Sequence, residues 1–175
     1  VRRRGVGTQA APTRVHRPQT LNTIFDQLRN DGRKPSTEVL SYGAAPATPE
    51  IAAKLEVNPG TSVTTIRRLR LTDHQPTGLM FDMVPTSIAP TTTALERDSF
   101  EAALAENGAI VSMARQTVSA RKSTNAEAQL LRISAGSPLL SVQNVSCDEG
   151  GHVMTYGEYL FRADRFQLKQ TTFAH

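Results

Sequence analysis

The chain has one cysteine, Cys147, no tryptophan, and aromatic side chains at only 5% of its 175 positions. A single thiol excludes an internal disulfide and leaves no thiolate set for a structural metal, which fits a reducing compartment. No apolar run approaches the roughly 18 residues of a membrane span, so a cytoplasmic chain with no membrane partner is expected. No charged and then apolar leader opens it. Val1 in first position points to a fragment or processed chain with a segment preceding it. Phosphate-loop, nucleophile-elbow and zinc signatures are missing, and "GVG" at residues 5–7 is too short for a dinucleotide fingerprint. His16, His74, His152 and His175 fall in the N-terminal arm, two turns and the terminus. That distribution suits neither a metal nor acid–base chemistry, so no metal and no cofactor are expected.

Acids are absent from residues 1–17, which hold Arg2, Arg3, Arg4, Arg14 and Arg17. The formal net charge of +4 is therefore concentrated in the arm, and the body of the chain is close to neutral.

What is present is a pattern written twice. Setting "TPEIAAKLEVNPGTSVTTIRRLRLTDHQPTGLMFDMV", from Thr48, above "TNAEAQLLRISAGSPLLSVQNVSCDEGGHVMTYGEYL", from Thr124, matches without gaps. Leu55 falls on Leu131, Gly60 on Gly136, Ile66 on Val142, Leu69 on Val145 and Asp82 on Glu158. Upstream, "FDQLRNDG" from Phe25 resembles "FEAALAENG" from Phe100. Such self-similarity reads as a tandem duplication.

Each unit predicts a short helix ending at Gly32 or Gly108, then a strand, about 37–43 or 111–121. A second helix follows, capped by Thr48 with Pro49 behind it, or by Thr124 with Glu127 completing a capping box. A hairpin closes the unit, 62–71 with 78–84 and 139–147 with 153–161. Residues 85–98 connect the copies, and "RADRFQLKQ" extends or finishes the last strand. The fold class expected is α+β, an antiparallel sheet with flanking helices built from an internal tandem repeat.

The duplication isolates what one copy has and the other lacks. In "TIRRLRL" the alternation puts Ile66, Arg68 and Arg70 on one face and Arg67, Leu69 and Leu71 on the other. Arg68 aligns with Asn144 and Arg70 with Ser146, so the fold does not demand the arginine pair. Two guanidinium forks two residues apart match the oxygens of phosphate, sulfate or carboxylate. The alternative is an intramolecular ion pair with Asp82 or Glu158. Asn22 and Thr23 stand where a helix begins, and its free amides attract anions; capping alone would also explain them. Arg67 reads as a solvated or interface charge.

Arginines with "GVGT" at the start, "LNTIFDQLRNDG", "LEVNPGTSV", "LRLTDHQP" and the closing "EYLFRADRF" together resemble the HutC-type GntR-family bacterial transcription regulators. The resemblance covers essentially the whole chain. It implies that residues 1–12 are the end of a winged helix-turn-helix domain, with Arg2, Arg3, Arg4 and Gly5 in a wing that contacts DNA, and that 13–20 are a linker. Residues 21–175 would be an effector-binding UTRA domain with a chorismate lyase-like fold. It further implies a homodimer binding a small anionic effector that modulates operator DNA binding, usually by releasing the operator. The anion pocket then falls on Arg68, Arg70, Asn22, Thr23 and Ile24.

Members that recognise amino-sugar phosphates commonly carry an acid where Met80 stands, a second near Thr155, and tyrosines at Phe100 and Phe161. Those losses, with Glu158 retained, suggest a compact or partly apolar phosphate, phosphonate or carboxylate. An enzyme on the same fold, cleaving a small carboxylate, is the rival reading; a stand-alone nucleic-acid binder is a third.

Overall fold

The computed structural model describes residues 34–166. The wing, the linker, the helix expected to end at Gly32, and Asn22, Thr23 and Ile24 all lie outside the described residues. Six strands form one antiparallel sheet: β1 (Pro35–Pro46), β2 (Ser62–Thr72), β3 (Gln75–Pro85), β4 (Met113–Lys122), β5 (Pro138–Cys147) and β6 (Val153–Arg162). Their spatial order is β1-β2-β3-β6-β5-β4. Two hairpins thus meet along β3 and β6, and each half runs strand, helix, strand, strand. The helices are α1 (Pro49–Leu55), α2 (Thr92–Arg97), α3 (Phe100–Ala105) and α4 (Asn125–Leu131).

Local chemistry fixes the helix ends as the sequence predicts. Thr48 caps α1 by accepting from the Ile51 amide, with Pro49 in the first turn. Thr124 and Glu127 form a reciprocal capping box on α4. Both helices stop at a left-handed residue, Glu56 (φ 55°) and Arg132 (φ 53°). The chain then turns through Gly60 (φ 85°) or Gly136 (φ 77°), a backbone region that glycine enters without steric cost.

Three expectations are refined. The β2–β3 turn is tighter than "TDHQP" suggests: only Asp73 (φ 51°) and His74 (φ 63°) separate the strands, the paired positive φ of a type I′ turn. Asp73 tolerates this because it is anchored, its carboxylate accepting from the Lys34 amide at 3.0 Å while its own amide donates to the Lys34 carbonyl. The 85–98 connection is structured, with a 3₁₀ turn at Thr86–Ile88 and α2 capped by Thr91. Finally, of the two outcomes expected for "RADRFQLKQ", its "RADR" finishes β6. Arg162 is buried, forks onto Asp164, and donates to the carbonyls of Pro76 and Leu131, tying the turn to the end of α4.

The fourth correction bears on the site. The ungapped match fails at the hairpin tips, because Thr72 and Gln75 pair across two residues while Cys147 and Val153 pair across five. Arg68 pairs with Met80, whereas Asn144 pairs with Gly157, so the halves correspond with one extra residue beyond the turn. Asp82 is therefore equivalent to Tyr159, and Glu158 to Phe81. A one-residue slip reverses the face of every side chain. Glu158 stands opposite Phe81 and Arg67, on the other side of the sheet from Asp82 and Arg68.

Both faces are covered in part. On one, α2 and α3 bring Ala94, Leu95, Phe100 and Leu104 against Ile66 and Val84. On the other, α1 packs Leu55 with Val63, Met83 and Tyr156, and α4 packs Leu131 with Leu69, Leu79 and Leu139. Among the described residues no helix is long and apolar enough to cross a membrane.

Candidate functional site

On the α3 face the register lays out rows of side chains. Arg68, Met80, Tyr159 and Val142 form one row; Ile66, Asp82, Gly157, Asn144 and Gln116 form the next; Arg70, Gly78, Phe161 and Leu140 lie on the opposite flank. Five residues singled out in the sequence, Arg68, Arg70, Met80, Phe100 and Phe161, are brought together here. Glu158 is not, for the reason given above.

Arg68 is the centre. It is 1% exposed and its Nη2 donates to Asp82 Oδ2 at 2.6 Å, Asp82 being wholly buried. The Tyr159 hydroxyl donates to the other carboxylate oxygen at 2.9 Å. The Phe100 ring lies under the guanidinium, 4.6 Å from Cζ to centroid, a cation–π contact that partly replaces lost water. Tyr159 reaches Asp82 because Gly157 leaves the space open: a Cβ there would stand 2.5 Å from the tyrosine oxygen. Burial, and then the Asp82 charge, drive the Tyr159 hydroxyl well above its ordinary range, so it stays a donor.

The ion pair with Asp82 forms, but it does not use the whole guanidinium. One nitrogen serves Asp82; Nε and Nη1 are buried with no hydrogen-bond partner among the described residues. Leaving such donors unfilled costs about 1–3 kcal/mol or more each, which is why buried polar groups are normally satisfied. The Thr155 hydroxyl, in the row of Ser146, is likewise buried and without a hydrogen-bond partner among the described residues.

Arg70 is partly buried and donates to Thr37 Oγ1 at 2.7 Å. Burial, and next the neighbouring Arg68 charge, push its pKa down to about 9, still cationic at neutral pH. Glu101, in the first turn of α3, faces these arginines, and burial pushes its carboxyl up to about 7. The other half of the face is closed upon itself: Gln116 donates to Asn144 at 2.9 Å and Asn144 to Ser146 at 2.9 Å.

Sequence reasoning missed Tyr159, Thr37 and Glu101. Tyr159 was within reach, since period-two alternation from Phe161 puts it on the arginine face. Thr37 depends on β1–β2 register, and nothing in the spacing of Glu101 distinguishes it from a solvated helix residue.

Residues 30–167 match the UTRA domain family. Over 99% of its length the chain is 24% identical to the HTH-type transcriptional repressor NagR of Bacillus subtilis, of which it covers 71%. It is 34% identical to a solved protein of Streptomyces coelicolor described as a candidate transcriptional regulator, with a TM-score of 0.71, covering 77% of this chain and 91% of that one. A GntR-family transcriptional regulator from Enterococcus faecalis superposes with a TM-score of 0.70 at 26% identity over 78% of this chain and all of that one. PhnF from Mycobacterium smegmatis, at 21% identity, shares the fold with a TM-score of 0.81 over 90% of this chain and 71% of its own. With a family match across most of its length and a fold that superposes on its solved relatives, the chain belongs to the UTRA domain family, the regulatory effector-binding domain of GntR-type transcription regulators.

Proposed function

We propose that this domain senses a small anionic metabolite, a phosphate, phosphonate or carboxylate, held by the unfilled donors of Arg68 together with Arg70. Its occupancy modulates operator binding by a winged helix-turn-helix domain. In this reading Asn22, Thr23 and Ile24 add helix-start amides to the cradle. Arg2, Arg3, Arg4 and Gly5 touch the DNA backbone, and the regulator works as a homodimer of the HutC type. The similarity to NagR and the GntR-family protein supports a regulator over a lyase.

One observation carries the ligand reading. At topologically equivalent positions Asn144 is closed by Gln116 and Ser146, whereas Arg68 is equally buried and keeps Nε and Nη1 open among the described residues. Beside the charged and hydroxyl groups, Met80, Phe100 and Phe161 add apolar walls, which suits a compact or partly apolar anion rather than a polyhydroxylated one.

A thermal-shift screen over phosphate, methylphosphonate, acetate and glucosamine 6-phosphate tests this, with Arg70→Gln as control. Simple anions are expected to raise Tm in the parent chain and to lose that effect in the variant. Tight binding of glucosamine 6-phosphate alone would refute the ligand class, and an unchanged response in Arg70→Gln would refute the site. For the coupling, an anion that binds must change operator affinity of the longer regulator, since a ligand acts only through its differential affinity for the two states.

A further inference from the structure

Arg67, the third arginine of "TIRRLRL", stands on the face opposite Arg68. Its cross-strand row runs Ser41, Arg67, Phe81, Glu158, Gln143 and Thr117. α1 covers one end of this face and α4 the other, so the row is the floor of an open groove with a helix on each side. The groove encloses a cavity of about 400 Å³, within the range of small-molecule pockets. Its flanking helices would stop a second sheet from lying flat on it.

The charges in the groove are mostly spoken for. Arg121 forks onto Glu127 at 2.6 and 2.8 Å, and Glu127 also caps α4. Glu158 accepts from Tyr156 at 3.0 Å and lies 3.5 Å from the Lys54 ammonium. Arg67 is different: it is exposed and its side chain makes no hydrogen bond or ion pair among the described residues, and the side chains of exposed Gln143 and half-buried Ser141 on the floor likewise have no hydrogen bond there. Beside them lie Leu40, Leu79 and Leu160.

From this arrangement we infer a second ligand site, back to back with the first across β2, that takes a monoanionic carboxylate with a short apolar body. The guanidinium fork of Arg67 holds the carboxylate, Gln143 or Ser141 donates a further hydrogen bond, and the tail lies on the leucines. A dianion is disfavoured, because Glu127 and Glu158 line the same groove and, among the described residues there, Arg67 is the one cation with no acidic partner.

The test is a titration of the whole chain with sodium hexanoate, followed by backbone amide NMR, in the parent, Arg67→Gln and Arg70→Gln. Saturable shifts at Arg67, Phe81, Ser141 and Gln143 are expected, at least tenfold weaker in Arg67→Gln and unchanged in Arg70→Gln. Shifts that do not saturate, or that Arg67→Gln leaves intact, overturn the inference. Loss in Arg70→Gln alone would put hexanoate at the cradle, supporting the first site while overturning the second. Broadening of the same amides with protein concentration, before any hexanoate is added, would show the groove covered by a second copy and would equally overturn it.

Discussion

Arg68 and Asp82 form an ion pair that water does not reach, and such pairs seldom add net stability, because desolvation offsets the Coulomb gain. Removing one member is a different matter. Asp82→Leu leaves a buried, uncompensated cation and is expected to cost about 3–5 kcal/mol, read from urea unfolding. The double variant Arg68→Met with Asp82→Leu should recover most of that stability yet give no thermal response to anions. Recovery of both would mean that Arg68 is structural only. Gly157→Ala tests the third member: its methyl would force the Tyr159 hydroxyl off Asp82, lowering stability and weakening anion binding together. Tyr159→Phe, which removes the hydrogen bond without a clash, should be the milder of the two.

Glu101 adds a pH dependence whose sign follows from its surroundings, Arg68 and Arg70 on β2, Asp82 on β3 and Tyr159 on β6. Its carboxyl titrates near 7, so it is largely neutral below that pH and an anion above it. Binding of sulfate, which does not itself titrate there, should weaken as pH rises through about 7, and the dependence should vanish in Glu101→Gln. The group also makes a stability statement. Because its folded pKa lies above the usual carboxylate value, its contribution is fully present below about 4.5 and declines as pH rises towards 7.

At the scale of elements, helix starts were legible because capping is local chemistry: Thr48, Pro49, Thr124 and Glu127 each act within one turn. Thr124→Ala should cost about 1 kcal/mol. The β2–β3 turn shows where such reading stops. Asp73 and His74 are not the Asn-Gly pair that announces a type I′ turn, and Asp73 is held there by Lys34, 39 residues away in sequence. His74→Gly should stabilise by under about 1 kcal/mol, since relief of the left-handed strain is partly cancelled by added freedom in the unfolded chain. A drop in Tm on that change would show that the His74 side chain supplies something beyond the turn.

For the molecule as a whole, two hairpins joined in one sheet could be foreseen from repetition, because apolar alternation and turn glycines recur in both halves. The facing of individual residues could not always be foreseen. Hairpin tips of different length shift the match by one, and that single residue moves Glu158 from the arginine face to the opposite groove. The strand "TIRRLRL" therefore serves both sides of the sheet, Arg68 and Arg70 towards α3 and Arg67 towards the groove between α1 and α4.

In the proposed function an anion is received by the open donors of Arg68. Its Nε–H resonance in side-chain nitrogen NMR reports on that directly, provided the spectrum is followed during a titration with phosphate or methylphosphonate. A saturable shift of the Arg68 Nε–H, tracking the rise in Tm and absent in the Arg68→Met with Asp82→Leu variant, is the result expected. Anion binding that leaves this resonance unmoved would contradict the account.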